Sequence, residues 1–407
     1  MAHLLGVRIQ NYRSLANVTL GQVGYGQDDP LPPIMCFIGP NGSGKSSLLD
    51  AFAFLADCLR EGVESACDKP NRGGFSRLRT QGQTGTIQFE LYFRQKKKDR
   101  PITYSFEIDE RNGVPSVVRE RLRQRRLGQK WGQPYSFVNL IEGEGTVWSG
   151  QSTKFEEGTE KHDVRLDDLT RLGITALGQF KEHERVLALR EYIESWYLSY
   201  FVPDAARKLP PFGAQRHLSR TGDNIGNVAQ FLKRAHPEKF DRILEKISRR
   251  IPGIKAIGYR ISEDNRILLR FNELGYSDPF FQQSMSDGTL KMFTYLLLLE
   301  DPDPPSFIGI EEPENGLYHK LLENLAREFR NHAESSDSNT QLLITTHSPY
   351  FVDALKPDQV WLLEKDDLGH TKARRTLDIS GIRELQEQEL PLGSLWYSNH
   401  FEERFPL

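Results

Sequence analysis

Two stretches of this sequence carry residue types spaced for chemistry on phosphate. The first runs Gly39-Pro40-Asn41-Gly42-Ser43-Gly44-Lys45-Ser46-Ser47 and fits the phosphate-loop pattern G-x-x-x-x-G-K-[ST]. Successive backbone N–H groups can wrap an anion only where no Cβ obstructs them, and Gly39, Gly42 and Gly44 supply that freedom. Lys45 offers a point charge for β- and γ-phosphates, and the Ser46 hydroxyl can ligate Mg²⁺. A helix opening here adds its positive end. An ordinary Gly/Ser-rich turn is the alternative, but a β-like run before the loop and a helical one after it favour nucleotide binding.

The second stretch lies near the C-terminus, where three motifs follow in order: SMSDGTLK (284–291), FIGIEEPENGLYHKL (307–321) and LLITTHSP (342–349). Ser286 and the amides beside it, at the start of a helix, form a second anion site or a plain N-cap. Glu311 and Glu312 end an apolar strand. Alone they read as an acidic pair capping a helix before Pro313, but with a phosphate loop elsewhere in the chain they read as a place for a Mg²⁺–water shell and a nucleophilic water. His347 ends another apolar strand, and a lone histidine is more often structural.

The elements that must position these residues follow from periodicity. Alternation over Leu4–Ile9, the short run Val18–Leu20 and the apolar run Ile34–Ile38 read as strands, and LLDAFAFLADCL after the loop reads as a helix. QFELYF, ITYSFEI and PSVVRERL are β-like; Glu142–Gly158 reads as an exposed hairpin and loop. Helical patterns cover Val186–Tyr197 and Asn224–Arg250, and beyond Pro252 the runs IKAIGYRI and RILLRF suggest strands. A helix (Gly288–Glu300), a strand (Phe307–Ile310), a helix (Gly316–Phe329), a strand (Gln341–Thr345) and a helix (Pro349–Leu355) then alternate. That alternation predicts an α/β core with a mainly parallel sheet.

Composition narrows the class. The 407 residues are 38% hydrophobic with 33 glycines, ordinary for a soluble globular chain. Net charge is −3, so a nucleic-acid surface has to be a local patch. Three cysteines, Cys36, Cys58 and Cys67, with no C-x-x-C pair, argue against a disulfide framework or Cys-rich zinc site and suggest reduced thiols in the cytoplasm. The N-terminus has no signal-peptide pattern, and no apolar run approaches the ~20 residues of a membrane span.

With IQNYRSL (9–15) added, the ordered motifs make the chain resemble ABC-type ATPase heads of the SMC/RecF/OLD class, most closely the stand-alone RecF-like ATPases of bacteria that carry SDGT and EEPE-GL. The resemblance spans essentially the whole chain. It implies a P-loop NTPase with an ABC-ATPase head of mixed β-sheet and an inserted α+β lobe, the core being 1–90 with 280–407 and the lobe 91–279. It also implies an ATPase using ATP and Mg²⁺. Glu312 would orient and deprotonate the attacking water, while Glu311, standing where relatives carry Asp, reaches a metal-bound water. Ser286 and Gly288 match the ABC signature, which faces the γ-phosphate of a second protomer in a head-to-tail homodimer; Asp287 replaces its central glycine. His347 matches the switch histidine, and Asn315-Gly316-Leu317 the D-loop. Gln179 is the candidate Mg²⁺-sensing glutamine, with Gln88 its competitor, and Arg13 contacts nucleotide or forms a surface ion pair.

About 240 residues separate Lys45 from Ser286, and the globular pattern there, in place of a coiled coil, implies a lid or partner-docking lobe. Basic clusters lie at 94–100, at 119–130 and at Arg249, Arg250 and Lys255; the second offers DNA contacts through Arg119, Arg121, Arg123, Arg125, Arg126 and Lys130, or merely a solvated hairpin face. No nuclease constellation is visible, so cutting would need a separate effector nuclease, as in anti-phage ATPase–nuclease pairs. The tail LGSLWYSNHFEERF reads as a packing element burying Trp396 and Phe401. A slowly hydrolysing nucleotide-bound scaffold and a transporter ATPase subunit are the other readings; the large insertion and Asp287 oppose the transporter.

Overall fold

The computed structural model describes residues 2–25, 29–96, 98–126, 128–129, 131–149, 160–213, 215–251, 253–336 and 338–401. The chain packs as two compact units, Met1–Trp196 with Trp361–Arg375, and Tyr197–Val360 with Thr376–Leu407. The phosphate loop lies in the first, and the three C-terminal motifs lie in the second.

In the first unit, strands β1 (His3–Tyr12), β2 (Leu15–Gly21), β4 (Ile87–Arg94), β5 (Ile102–Arg111), β6 (Val114–Gln124), β7 (Tyr135–Ile141), β8 (Glu144–Trp148) and β9 (Lys161–Arg165) form one antiparallel sheet ordered β2-β1-β4-β5-β6-β7-β8-β9; β3 (Ile34–Ile38) stands outside it. Alternation decides which face is buried: Phe89, Leu91 and Phe93 of β4 turn inward. The Phe89 and Phe106 rings lie 5.1 Å apart between neighbouring strands. Helix α1 (Lys45–Glu61) follows the phosphate loop, with Leu48, Leu49, Phe52, Leu55 and Leu59 buried at helical spacing. Its Phe54 ring packs 5.3 Å from Tyr12 and 5.9 Å from Phe89, which seats the helix on the sheet. Short helices α2 (Val63–Cys67), α3 (Phe75–Leu78) and α4 (Gly173–Leu177) and the longer α5 (Glu184–Glu194) complete this part. The expected helix to Tyr197 stops earlier because Tyr197 opens a strand of the second unit.

In the second unit, β10 (Tyr197–Ser199), β14 (Phe307–Glu311) and β15 (Gln341–Thr345) run parallel in the order β10-β14-β15, while β11 (Ile254–Ile261), β12 (Ile267–Glu273) and β13 (Phe280–Phe281) form a small antiparallel sheet. After the single turn α6 (Pro203–Ala206), the helical pattern over 224–250 divides into α7 (Ile225–Ala235) and α8 (Pro237–Arg250). The cause is Pro237, which lacks an N–H and drives His236 out of helical geometry, to φ −139° and ψ 61°. Helix α9 (Asp287–Leu299) is buried almost throughout. Helix α10 (His319–Glu334) starts later than its pattern suggested because Gly316, at φ 82°, makes a turn instead. Helix α11 (Pro349–Val352) is a single turn, and α12 (Ile382–Glu387) and α13 (Leu392–Tyr397) lie near the end. Between α11 and α12 the chain returns to the first unit with the antiparallel pair β16 (Val360–Lys365) and β17 (Thr371–Arg375), where Trp361 stacks on Phe37 of β3 at 5.6 Å.

Phe401 is fully buried as expected, but Trp396 is only half-buried. It lines an open cavity of about 690 Å³ with Tyr350 and Tyr397. The chain therefore has the expected α/β class, built around large β-sheets with helical insertions.

Candidate functional site

The phosphate loop leaves β3 and enters α1 with Gly39, Gly42 and Gly44 all at positive φ (145°, 78° and 109°). A Cβ on Gly39 would overlap the Leu363 carbonyl, and one on Gly44 would overlap the Thr371 hydroxyl, so both glycines are required by space as well as by torsion. Helix α1 starts at Lys45 with no side-chain cap on its first N–H groups and no acidic residue in its first turn. Such an end is an anion site. The Lys45 ammonium is folded back onto the Gly39 and Pro40 carbonyls at 2.8 and 3.0 Å. The Ser43 hydroxyl is buried and has no hydrogen-bond partner among the described residues. Ser46, Asn41 and Gly42 are exposed and Ser47 half-buried. The buried Ser43 hydroxyl, helix N–H groups without a side-chain cap and a cradle shaped by two obligatory glycines fit a nucleotide phosphate with its Mg²⁺.

Arg13 makes an ion pair with a buried partner rather than a surface one. Its guanidinium sits 3.0 Å from Asp50 and donates to the Asn71 carbonyl at 2.8 Å. Asp50, buried on α1, also receives the Tyr12 hydroxyl at 2.7 Å and the Arg72 guanidinium at 3.0 Å. Arg72 continues to Asp57, which Lys69 also meets. This buried network anchors α1 rather than presenting a free cation. Gln179 is exposed just past α4, and its amide donates to the Thr175 carbonyl at 3.4 Å; no hydrogen bond among the described residues joins it to the loop. Gln88 lies within β4 and donates to the Thr86 hydroxyl at 2.9 Å.

In the second unit the acidic strand, the histidine and the signature-like motif form one hydrogen-bonded cluster. The parallel register of β14 and β15 sets Glu311 opposite Thr345. Glu311 is half-buried, and its carboxylate has no hydrogen bond or ion pair among the described residues. Glu312 adopts φ 42°, uncommon for a residue with a side chain, and its N–H donates to the Thr345 carbonyl at 3.0 Å. One carboxylate oxygen of Glu312 lies 2.8 Å from His347 Nε2, and the other accepts from the Asn315 amide at 3.0 Å. His347 is therefore a partner of Glu312. The His347 backbone N–H donates to Glu314, whose carboxyl burial pushes its pKa above the ordinary range.

Lys291, buried on α9, donates to the Asn315 carbonyl at 2.6 Å. Burial lowers its pKa, while Glu314, Asp287 and Glu312 act in the opposite sense. Ser286 caps α9: its hydroxyl accepts the Thr289 N–H at 3.2 Å. Gly288 packs close under the Gly316 carbonyl, which brings the signature-like turn against Asn315-Gly316-Leu317. The Asp287 charge is met by Arg207, which also reaches the Met285 carbonyl and Asp204. No motif announced Arg207, while Lys291 and Glu314 lie inside SMSDGTLK and EEPE-GL without a role assigned to them there.

The basic cluster follows strand alternation. Arg119, Arg121 and Arg123 share one face of β6, and each meets a neighbour: Glu107 at 3.7 Å, the Ser136 hydroxyl at 2.6 Å and Glu90 at 2.7 Å. Arg125 and Arg126 lie over the Tyr25 and Tyr135 rings. Lys130 is outside the described residues. All three cysteines are buried, and none is in a disulfide. Among the described residues, no helix is long and apolar enough to cross a membrane.

Residues 34–353 match the protein family described as "AAA domain, putative AbiEii toxin, Type IV TA system". The structural maintenance of chromosomes protein 1 of Saccharomyces cerevisiae is 34% identical over 92 residues, which is 19% of this chain and only 7% of that protein's length. Among solved structures, an SMC head bound to the C-terminal winged-helix domain of ScpA superposes with TM-score 0.54 at 13% identity, covering 94% of this chain and 99% of that one. An SMC head with an extended coiled coil, bound to the C-terminal domain of ScpA derived from Pyrococcus furiosus, gives 0.53 at 11% identity, with 96% and 100% covered. These likenesses are of fold: a P-loop ATPase fold resembling SMC heads.

Proposed function

Because the chain belongs to the AAA-domain family matched over residues 34–353, we propose that it binds and hydrolyses Mg-ATP as an ABC/SMC-type head. The observation that carries this reading is the phosphate cradle: two spatially obligatory glycines, the buried Ser43 hydroxyl, unpartnered among the described residues, and the Lys45 ammonium turned into the loop. Lys45 and the first N–H groups of α1 would bind the phosphates. By the resemblance, the Ser46 hydroxyl would ligate Mg²⁺, which neutralises phosphate charge, and Glu311 would reach a metal-bound water. Glu312 would accept the proton of the attacking water, with His347 and Asn315 fixing its carboxylate. The Mg²⁺-sensing role stays with Gln179, with Gln88 as its competitor.

On the same reading Ser286 and Gly288 face the γ-phosphate of a second copy, so that ATP joins two chains head-to-tail. The dimer gates DNA or a partner effector nuclease in bacterial anti-phage defence. Support for a partnered defensive role comes from the toxin–antitoxin description of the family and from SMC heads whose structures include ScpA domains. The test is phosphate release by wild type and Lys45→Ala, with phage challenge of cells carrying each. Wild-type turnover that Lys45→Ala abolishes, together with lost protection, supports the reading. Turnover unaffected by Lys45→Ala contradicts it.

A further inference from the structure

The phosphate loop is braced by two residues outside its motif. Thr371, the first residue of β17 and 1% exposed, lies against Gly44 with its hydroxyl where a Cβ would go. That hydroxyl donates to the Ser43 carbonyl at 2.8 Å and lies 2.9 Å from the Ser14 hydroxyl, whose hydrogen it can accept. The Thr371 backbone N–H donates to the Ser14 carbonyl at 2.8 Å, tying β17 to the turn between β1 and β2. A phosphate nest works only if its carbonyls point outward and its N–H groups inward. The Ser43–Gly44 peptide is planar and trans, so fixing the Ser43 carbonyl fixes the Gly44 N–H in the opposite direction.

We propose that Thr371, supported by Ser14, is a positioning residue for nucleotide phosphate: it holds the Ser43–Gly44 peptide so that the Gly44 N–H faces the bound anion. The proposal rests on the nucleotide-binding reading above. Without the Thr371 hydroxyl the Ser43 carbonyl loses its donor, and the peptide is free to rotate its N–H away from phosphate. Gly44, with no Cβ to restrain it, makes that rotation easy.

The experiment is titration of a fluorescent ATP analogue with Mg²⁺ into wild type, Thr371→Val, Thr371→Ser, Ser14→Ala and Lys45→Ala, with unfolding midpoints measured without nucleotide. Thr371→Val conserves shape and removes the donor; its Kd is expected to rise about tenfold, while Thr371→Ser restores wild-type affinity. Ser14→Ala, which leaves the donor in place, is expected to raise Kd about threefold and serves as the readout if Thr371→Val does not fold. Thr371→Val binding as tightly as wild type, or weakened to the same degree as Thr371→Ser, overturns the proposal. If Thr371→Val does not fold, unchanged affinity in Ser14→Ala overturns it. Wild-type protein with no more affinity than Lys45→Ala overturns the nucleotide-binding reading and this proposal with it.

Discussion

The phosphate loop and the acidic cluster differ in how they are built. The loop is made of backbone: nine consecutive residues supply glycine torsions and helix N–H groups, and its lysine, Lys45, rests on the loop's own carbonyls. The acidic cluster is made of side chains. Glu312 is held by His347 and Asn315, Asn315 by Lys291, and the His347 N–H by Glu314, drawing on α9, the end of β14, the turn after it and the end of β15. A backbone site tolerates change anywhere except at its glycines, its lysine, the Ser46 hydroxyl and its braces. A side-chain site spreads its sensitivity over many partners, each of moderate effect. Changes in the loop should therefore act on affinity, and changes in the cluster on turnover.

The sharpest test of that contrast is Glu312→Gln. Removing the base should lower steady-state phosphate release by about 10²–10⁴-fold while ATP affinity stays within a few-fold of wild type. Equal losses in both would break the division between the two regions. Next comes Gly44→Ala, whose new methyl meets the Thr371 hydroxyl in a backbone conformation unsuited to alanine. ATP affinity should fall at least tenfold, read by equilibrium titration, and a normal Kd would show that the cradle has room to relax. Lys291→Met sharpens the other side: loss of its bond to the Asn315 carbonyl should reduce kcat several-fold with affinity unchanged.

The smallest expected effect is one of pH. Burial raises the Glu314 pKa above its ordinary 4.5, so the folded state binds the proton more tightly than the unfolded one. That contribution to stability is full below about 4.5 and is lost as pH climbs through the raised value. Glu314→Gln keeps an oxygen for the His347 N–H and removes the titration. Its melting temperature relative to wild type should therefore rise with pH, and a flat difference would show that Glu314 is already ionised without cost.

The same contrast explains what the sequence could reveal. The loop was legible because its determinants are adjacent, and β3 and α1 on either side follow directly from their apolar spacing. The strand ends carrying Glu312 and His347 were legible for the same reason. Arg207, Lys291 and Glu314 were not, because each acquires its partner only through folding: Arg207 meets Asp287 across 80 positions of sequence. Thr371 was silent too, since a threonine 328 positions from Ser43 carries no periodic or motif signal. Helix ends were missed where one residue overruled the pattern, as Pro237 does between α7 and α8 and Gly316 does before α10. Arg13 was left between a nucleotide contact and an ion pair, and the partner that engages it, Asp50, is a buried residue on a helix whose visible pattern is apolar.

The measurement that bears most directly on the whole account is equilibrium binding of Mg-ATP to wild type, Lys45→Ala and Glu312→Gln side by side. The account predicts saturable binding by wild type and Glu312→Gln, and at least a hundredfold loss in Lys45→Ala. Equal affinity in all three, or none in any, would contradict it.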